Sequence, residues 1–98
     1  MIVVRDVFQI EPDQMKRAKE LAKQQQQLVQ RHGYAMARIL TDLTGEYYTL
    51  VFESEFSGLG EFEAALQKGM ADPEWQKLYP QFRALIRGGR REVFTRVD

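Results

Sequence analysis

The chain contains no cysteine, and this absence excludes disulfide bonds, thiolate catalysis and sulfur-ligated metals. No apolar run approaches the roughly 18 residues that a membrane-spanning helix needs. No basic segment followed by an apolar core marks a signal peptide. We therefore expect a cytoplasmic protein with no membrane partner.

An excess of charge of one sign is also lacking, since 14 basic and 14 acidic side chains cancel. This balance argues against a protein built to bind nucleic acid. Residues 45–52 distantly resemble an aromatic strand motif of RNA-recognition domains, but Glu53 and Glu55 beside them count against it. Acids dominate residues 42–74 and bases dominate from Lys77 onward, so oppositely charged faces of two copies could meet. The alternative is that these charges are solvated edges.

Ligands for metals and cofactors are scarce. His32 is the only histidine, no metal-ligand spacing surrounds it, and we expect it to complement a helix dipole. Ser54 and Ser57 are the only serines, and neither lies in a G-x-S-x-G motif. We expect neither a metal nor a cofactor.

The hydrophobic periodicity uses the whole chain and predicts one domain, residues 1–98. The predicted elements are a strand at 2–10, a helix at 12–32, strands at 35–43 and 46–55, a helix capped by Ser57, a helix opened by Asp72-Pro73, and a strand at 90–97. Gly33 ends the first helix, and Thr44-Gly45 forms a hairpin turn.

Three further features refine these boundaries. The run Gln24 to Gln27 is expected on an exposed helix face. Pro80 is expected to kink or split the last helix, whose apolar face extends to Leu85 and Ile86. The pair Gly88-Gly89 is expected to end that helix.

The element order is that of an α+β, ferredoxin-like βαββαβ fold, with a four-stranded antiparallel sheet and helices on one face. The other face then has no cover in a single copy. Its predicted apolar members are Val3, Val7, Met36, Leu40, Tyr47 and Val51. Leaving them wet would cost several kcal/mol at about 25 cal/mol per Å². We expect a homodimer that joins these faces into a barrel.

The strand order, the helix opening at residues 72–79 and the closing strand at 90–94 resemble the dimeric α/β-barrel superfamily. Within it the chain is most similar to NIPSNAP-like and antibiotic-biosynthesis-monooxygenase-like domains. The resemblance implies the fold and the dimer. Members of this superfamily include cofactor-free oxygenases, isomerases and haem-degrading enzymes. Haem-degrading relatives use an asparagine, a tryptophan and a histidine. This chain has no asparagine, and only Trp75 could match.

Charged residues on the strands are the first candidates for a binding site. Arg5, Arg38 and Glu53 could lie on the barrel side with Asp42, Glu92 and Arg96, where arginines beside carboxylates can orient an acidic or enolic ligand. The alternative is an ion-pair network that sets the register of the dimer. The sequence does not decide which alternate residues of the last strand face the barrel.

Aromatic residues supply the remaining candidates. Tyr47 could donate its hydroxyl hydrogen to a ligand oxygen on the barrel side, whereas Tyr48 is expected in the core. Trp75, with Tyr79 and Phe82, could wall a pocket between helix and sheet, although the same spacing suits core packing.

Two functions follow from these residues. The first is binding of a small aromatic or enolic molecule, with cofactor-independent oxygenation or isomerisation as the candidate reactions. The second is a non-catalytic dimerisation module whose barrel is filled by its own side chains. A cavity of about 300 Å³ or more would count against the second.

Overall fold

The structure, a computed structural model, describes residues 1–34 and 36–98. The elements are β1 (Ile2–Ile10), α1 (Met15–Gln30), β2 (Met36–Thr41), β3 (Thr49–Phe56), α2 (Leu59–Met70), α3 (Pro73–Arg83) and β4 (Ile86–Thr95). Within the described ranges, no helix is both long enough and apolar enough to cross a membrane. The cytoplasmic location stays a prediction.

The four strands form one antiparallel sheet in the order β2-β3-β1-β4. The hairpin links β2 and β3, and of these only β3 is a central strand. The other central strand is β1, which pairs with β3 on one side and with β4 on the other. This is the predicted α+β, ferredoxin-like arrangement, with α2 and α3 together occupying the place of the second helix.

The core lies between the helices and one face of the sheet. Val4 and Ile10 of β1 and Leu50 and Phe56 of β3 are fully buried there, together with Leu21 of α1. Burying each of these side chains stabilises the fold by about 1.5–3 kcal/mol. We call this side the helix face of the sheet and the opposite side the open face.

Helix α1 begins later than predicted. Asp13 has a φ of 70°, a left-handed conformation that cannot continue a right-handed helix, so Pro12 lies in a turn and the helix starts at Met15. At the other end Gly33 has a φ of 76° and follows the last helical turn, as predicted.

The hairpin between β2 and β3 is longer than predicted. Tyr48 has a φ of 60°, which interrupts extended backbone, so β3 begins at Thr49 and not at Glu46. Tyr47 is consequently 79% exposed outside the sheet, and the prediction that Tyr48 lies in the core is wrong because it is 41% exposed. Gly45 carries the expected turn with a φ of 106°.

Strand β2 departs from the predicted alternation. Its predicted start at Ala35 falls outside the described residues. A register shift between Met36 and Arg38 moves Met36 to the helix face, where it is buried in the core. Its predicted place on the open face is therefore wrong, because a bulge reverses the alternation of side chains.

Helix α2 begins with Gly58 as its N-cap, so the predicted cap at Ser57 is wrong. The Ser57 backbone N–H and hydroxyl both donate to the carboxylate of Glu61. Helix α3 starts as predicted, because Asp72 accepts a hydrogen bond from the Glu74 backbone N–H at 2.8 Å and Pro73 occupies the first turn.

Pro80 does not split α3, which runs unbroken from Pro73 to Arg83. Proline removes one donor near the end of the helix, and the Ala84 N–H still donates to the Pro80 carbonyl at 3.1 Å. The hydrogen bond that proline cannot make is therefore lost only locally, and the next turn of the helix still forms.

Strand β4 begins earlier than predicted. Ile86 already pairs with Ile10, so Gly88 and Gly89 lie inside the strand and do not end a helix. A Cβ atom on Gly89 would lie 2.6 Å from the Val7 carbonyl oxygen, so only glycine permits this close approach of β4 to β1.

Candidate functional site

A cavity of about 430 Å³ lies between the helix face of the sheet and the three helices. Its volume falls within the range of small-molecule sites. Its wall is largely apolar, and the aromatic and thioether side chains in it are those of Phe8, Phe52, Met36, Met70, Trp75 and Tyr79. Such a wall favours a flat, largely apolar occupant.

The aromatic rings of the cavity hold fixed mutual orientations. Trp75 and Tyr79, one turn apart on α3, stack with ring centroids 5.2 Å apart. Phe8 meets Phe52 edge to face at 5.2 Å on the sheet. Phe82 packs against both phenylalanines and is fully buried, so of the three aromatics predicted on α3 it alone has a purely core role.

An ion pair on the sheet forms the polar part of the cavity. Asp6 of β1 lies directly opposite Arg91 of β4, and the Arg91 Nε donates to the Asp6 carboxylate at 2.6 Å. Burial lowers the pKa of Arg91, but the hydrogen bond and the negative charge of Asp6 outweigh it and hold that pKa above its ordinary value. The guanidinium also lies 5.1 Å from the ring centre of Phe62.

Tyr34 adds a neutral hydroxyl to the same cavity. Its ring is 6% exposed and meets Phe56 edge to face at 5.0 Å. Burial, with the nearby charge of Asp6, raises the pKa of Tyr34 to about 12. The phenol therefore stays protonated at neutral pH and acts as a hydrogen-bond donor.

Gln25 on α1 completes the polar lining, and its burial corrects the expectation of an exposed glutamine run, in which Gln24 and Gln27 are exposed as predicted. Gln25 is 1% exposed and lines the cavity, and its buried amide nitrogen has no hydrogen-bond partner among the described residues. Its neighbour Gln26, by contrast, donates to the Met36 carbonyl at 2.9 Å.

Of the five residues predicted to bind a ligand, Trp75 alone lines this cavity. Arg5 and Arg38 flank Glu53 on the open face, with nitrogen to oxygen distances of 3.0 and 3.5 Å. Tyr47 lies in the hairpin. The structure thus brings the three charged candidates together and separates them from both aromatic ones.

The period of two in a strand explains this separation. Arg5 and Asp6 are consecutive, so they point to opposite faces of the sheet. Arg5 pairs in register with Glu53 and Glu92, whereas Asp6 pairs with Phe52 and Arg91. Glu92 therefore lies on the open face. Arg96 lies beyond the end of β4.

Two residues that line the cavity, Asp6 and Gln25, were not predicted as site residues, although the sequence indicates that both are buried. Asp6 interrupts the apolar parity of β1, which is the mark of a polar group on a buried face. Gln25 lies four residues after Leu21 and four before Val29, so it belongs to the apolar stripe of α1 and not to its exposed side.

His32 has a structural partner away from the cavity. Its Nε2 lies 2.7 Å from the Asp72 carboxylate, and Arg31 next to it pairs with Glu74 at 2.7 Å. These two contacts join the end of α1 to the start of α3. No group of three metal-ligating side chains occurs among residues 1–34 and 36–98.

Comparisons of the sequence and of the fold with known proteins find matches to one family. The sequence profile of the NIPSNAP family matches residues 5–98. A search of curated proteins finds no match. An uncharacterized NIPSNAP domain protein from Burkholderia xenovorans superposes with a TM-score of 0.91 at 14% identity, over 99% of this chain and 95% of that one.

Two further solved structures extend the comparison. A NIPSNAP family protein from Agrobacterium tumefaciens has a TM-score of 0.90 at 16% identity, over 99% of this chain and 93% of that one. A mutant of SnoaB, a cofactor-independent oxygenase from Streptomyces nogalater, has a TM-score of 0.73 at 13% identity, over 99% and 93%. At these identities the likeness shows the fold alone.

Proposed function

The chain belongs to the NIPSNAP family, and we propose that it binds a small aromatic or enolic organic molecule in the cavity between the helices and the sheet. The observation that carries this proposal is the cavity itself, about 430 Å³ with a largely apolar wall that includes several aromatic rings and a few polar groups. This cavity lies on the helix face, opposite the barrel predicted for the open face, so the proposed ligand site differs in place from the predicted one.

The cavity contains groups that could take part in proton transfer. Asp6 is the only carboxylate among the described residues that line it, so it is the group that can accept a proton from an enolic ligand. Tyr34 can donate a hydrogen bond to the oxygen that then becomes negative. Both isomerisation and cofactor-independent oxygenation of an enol begin with such a transfer. One fold neighbour, SnoaB, is a cofactor-independent oxygenase, which supports oxygenation as a candidate reaction beside isomerisation.

We also propose a homodimer through the open face. That face presents Leu40, 40% exposed, and Phe94, 48% exposed, on opposite edges of the sheet. Between them run the pairs from Arg38 to Glu53 and from Glu53 to Arg5. Apolar edges around a charged centre suit a two-fold contact in which the ion pairs set the register, which was the alternative role of these charges.

A cavity-filling substitution tests the binding proposal. Ala65 of α2 is 5% exposed and lines the cavity, so Ala65→Phe should fill it. Its neighbour Ala64 is exposed, and Ala64→Phe is the matched control. Each protein is purified gently from its own host and weighed by native mass spectrometry, with circular dichroism to verify folding.

We expect wild type and Ala64→Phe to carry extra mass from a small organic molecule, and Ala65→Phe to carry none. Bound mass that survives in a folded Ala65→Phe protein would place the ligand elsewhere. A wild-type protein without any ligand would favour the dimerisation module.

A further inference from the structure

Gln25 is a buried donor that the fold does not use. Its amide nitrogen lacks a partner among the described residues although the side chain is 1% exposed. Burying an unpaired amide costs free energy, and an apolar side chain would fit the same helix stripe without that cost. Gln25 lines the cavity but its amide nitrogen is itself covered, so a rotation of the side chain would turn this donor towards an acceptor atom of a bound molecule, which would satisfy it.

The charges that line the cavity are already paired. Arg91 is bound to Asp6 at 2.6 Å, and the Arg90 Nε lies 3.3 Å from the Glu92 carboxylate. A ligand carboxylate would therefore lose its hydration without meeting an uncompensated cation. An uncharged acceptor oxygen loses less hydration and finds the Gln25 amide free.

We propose that Gln25 is the specificity-determining residue of the cavity and that it selects an uncharged ligand with a carbonyl-type acceptor oxygen on an aromatic frame. This inference rests on the proposed function, because it assumes that the cavity binds a ligand. Gln25 also restrains the ligand's position, since an oxygen held by α1 fixes one end of the molecule in a cavity whose wall includes Trp75 and the phenylalanines of the sheet.

Three matched bicyclic probes separate these contributions. Tetralin has the frame alone, 1-tetralone adds a ketone, and tetralin-1-carboxylate adds a charge. Trp75 is the only tryptophan and lines the cavity, so its fluorescence reports occupancy directly. Calorimetry gives the affinities independently.

For the wild type we expect 1-tetralone to bind about tenfold more tightly than either other probe. Gln25→Met should weaken 1-tetralone binding by about two- to tenfold, leave tetralin unchanged and raise the melting temperature. Gln24→Met makes the same change at an exposed position of α1 and should alter none of these values.

Equal binding of tetralin and 1-tetralone to the wild type would overturn the selectivity and leave the binding proposal intact, and this comparison needs no variant. A carboxylate that binds as tightly as the ketone, or a folded Gln25→Met protein with unchanged ketone affinity, would also overturn it. Failure of all three probes to bind the wild type would overturn both proposals together.

Discussion

At the scale of single residues, Tyr34 shows how a buried polar group gains a defined protonation state. Its hydroxyl lies beside the Asp6 and Arg91 pair, and its ring packs against Phe56 and Phe62. The aromatic contacts exclude water, so the ionised phenolate is the disfavoured form. The residue can therefore donate a hydrogen bond to a ligand in the proposed site but cannot act as a base.

The pKa of Tyr34 predicts a loss of stability in alkali. The pKa is about 12 in the folded protein against an ordinary value of 10.0. An acid whose folded pKa is raised contributes stability that is complete below its unfolded pKa and is lost as pH rises through the folded value. We expect the free energy of unfolding to fall by up to about 3 kcal/mol between these pH values.

Tyr34→Phe keeps the ring packing and removes the titrating group, so it should abolish that part of the alkaline loss. Urea unfolding of both proteins at a series of pH values measures the difference, and the other three tyrosines are present in both proteins. Parallel pH profiles for the two proteins would contradict the prediction.

Asp6 and Gln25 show what strand and helix periodicity can reveal about a site. Each breaks an apolar pattern, and each lines the cavity. Periodicity indicates that such a residue is buried, but it does not say which partner it has. The pairing of Asp6 with Arg91 depends on the register of two strands 85 positions apart in sequence, which no local pattern contains.

At the scale of elements, the contact between the end of α1 and the start of α3 holds the wall of the cavity that carries Trp75. Asp72 both caps α3 and accepts from His32 at 2.7 Å. The hydrogen bond with the His32 side chain lowers the pKa of Asp72 most, and the hydrogen bond from the Glu74 backbone N–H lowers it further.

This contact predicts a specific response to acid. A carboxyl group whose folded pKa lies below its ordinary value of 3.8 contributes stability above that value, and the contribution is lost as pH falls through the folded pKa. Asp72→Asn keeps a capping side chain but cannot ionise, so its melting temperature should fall less steeply in acid than that of the wild type.

Thermal unfolding of the two proteins from pH 6 down to about pH 2 measures this slope. Asp72→Ala removes the cap as well and should be less stable than Asp72→Asn across the whole range. An equal acid slope in wild type and Asp72→Asn would mean that the His32 contact contributes nothing.

At the scale of the whole molecule, the proposed dimer sets the role of the open face. Leu40 is 40% exposed on this face, whereas Leu43 is 97% exposed in the hairpin turn. Leu40→Glu should weaken dimerisation by about tenfold or more, because a charge would be buried without a partner at the interface. Leu43→Glu adds the same charge outside the sheet and should leave the dimer unchanged.

Light scattering across a dilution series gives the dissociation constant of each protein. A wild-type protein that is monomeric at all concentrations would contradict the proposed interface. Equal dissociation constants for the two variants would place the contact away from the open face.

The order of elements, the antiparallel sheet and the caps at Asp72 and Gly33 followed from the sequence alone, because periodicity, capping and turn chemistry act over a few residues. The cavity and its polar set did not. Asp6, Gln25 and Tyr34 come from separate elements, and only strand register and helix packing bring them into one site. The bulge at Met36 and the left-handed backbone of Tyr48 also depended on the tertiary structure. The bulge belongs to the pairing of β2 with β3, and the Tyr48 carbonyl accepts a hydrogen bond from the Ile10 backbone N–H of β1.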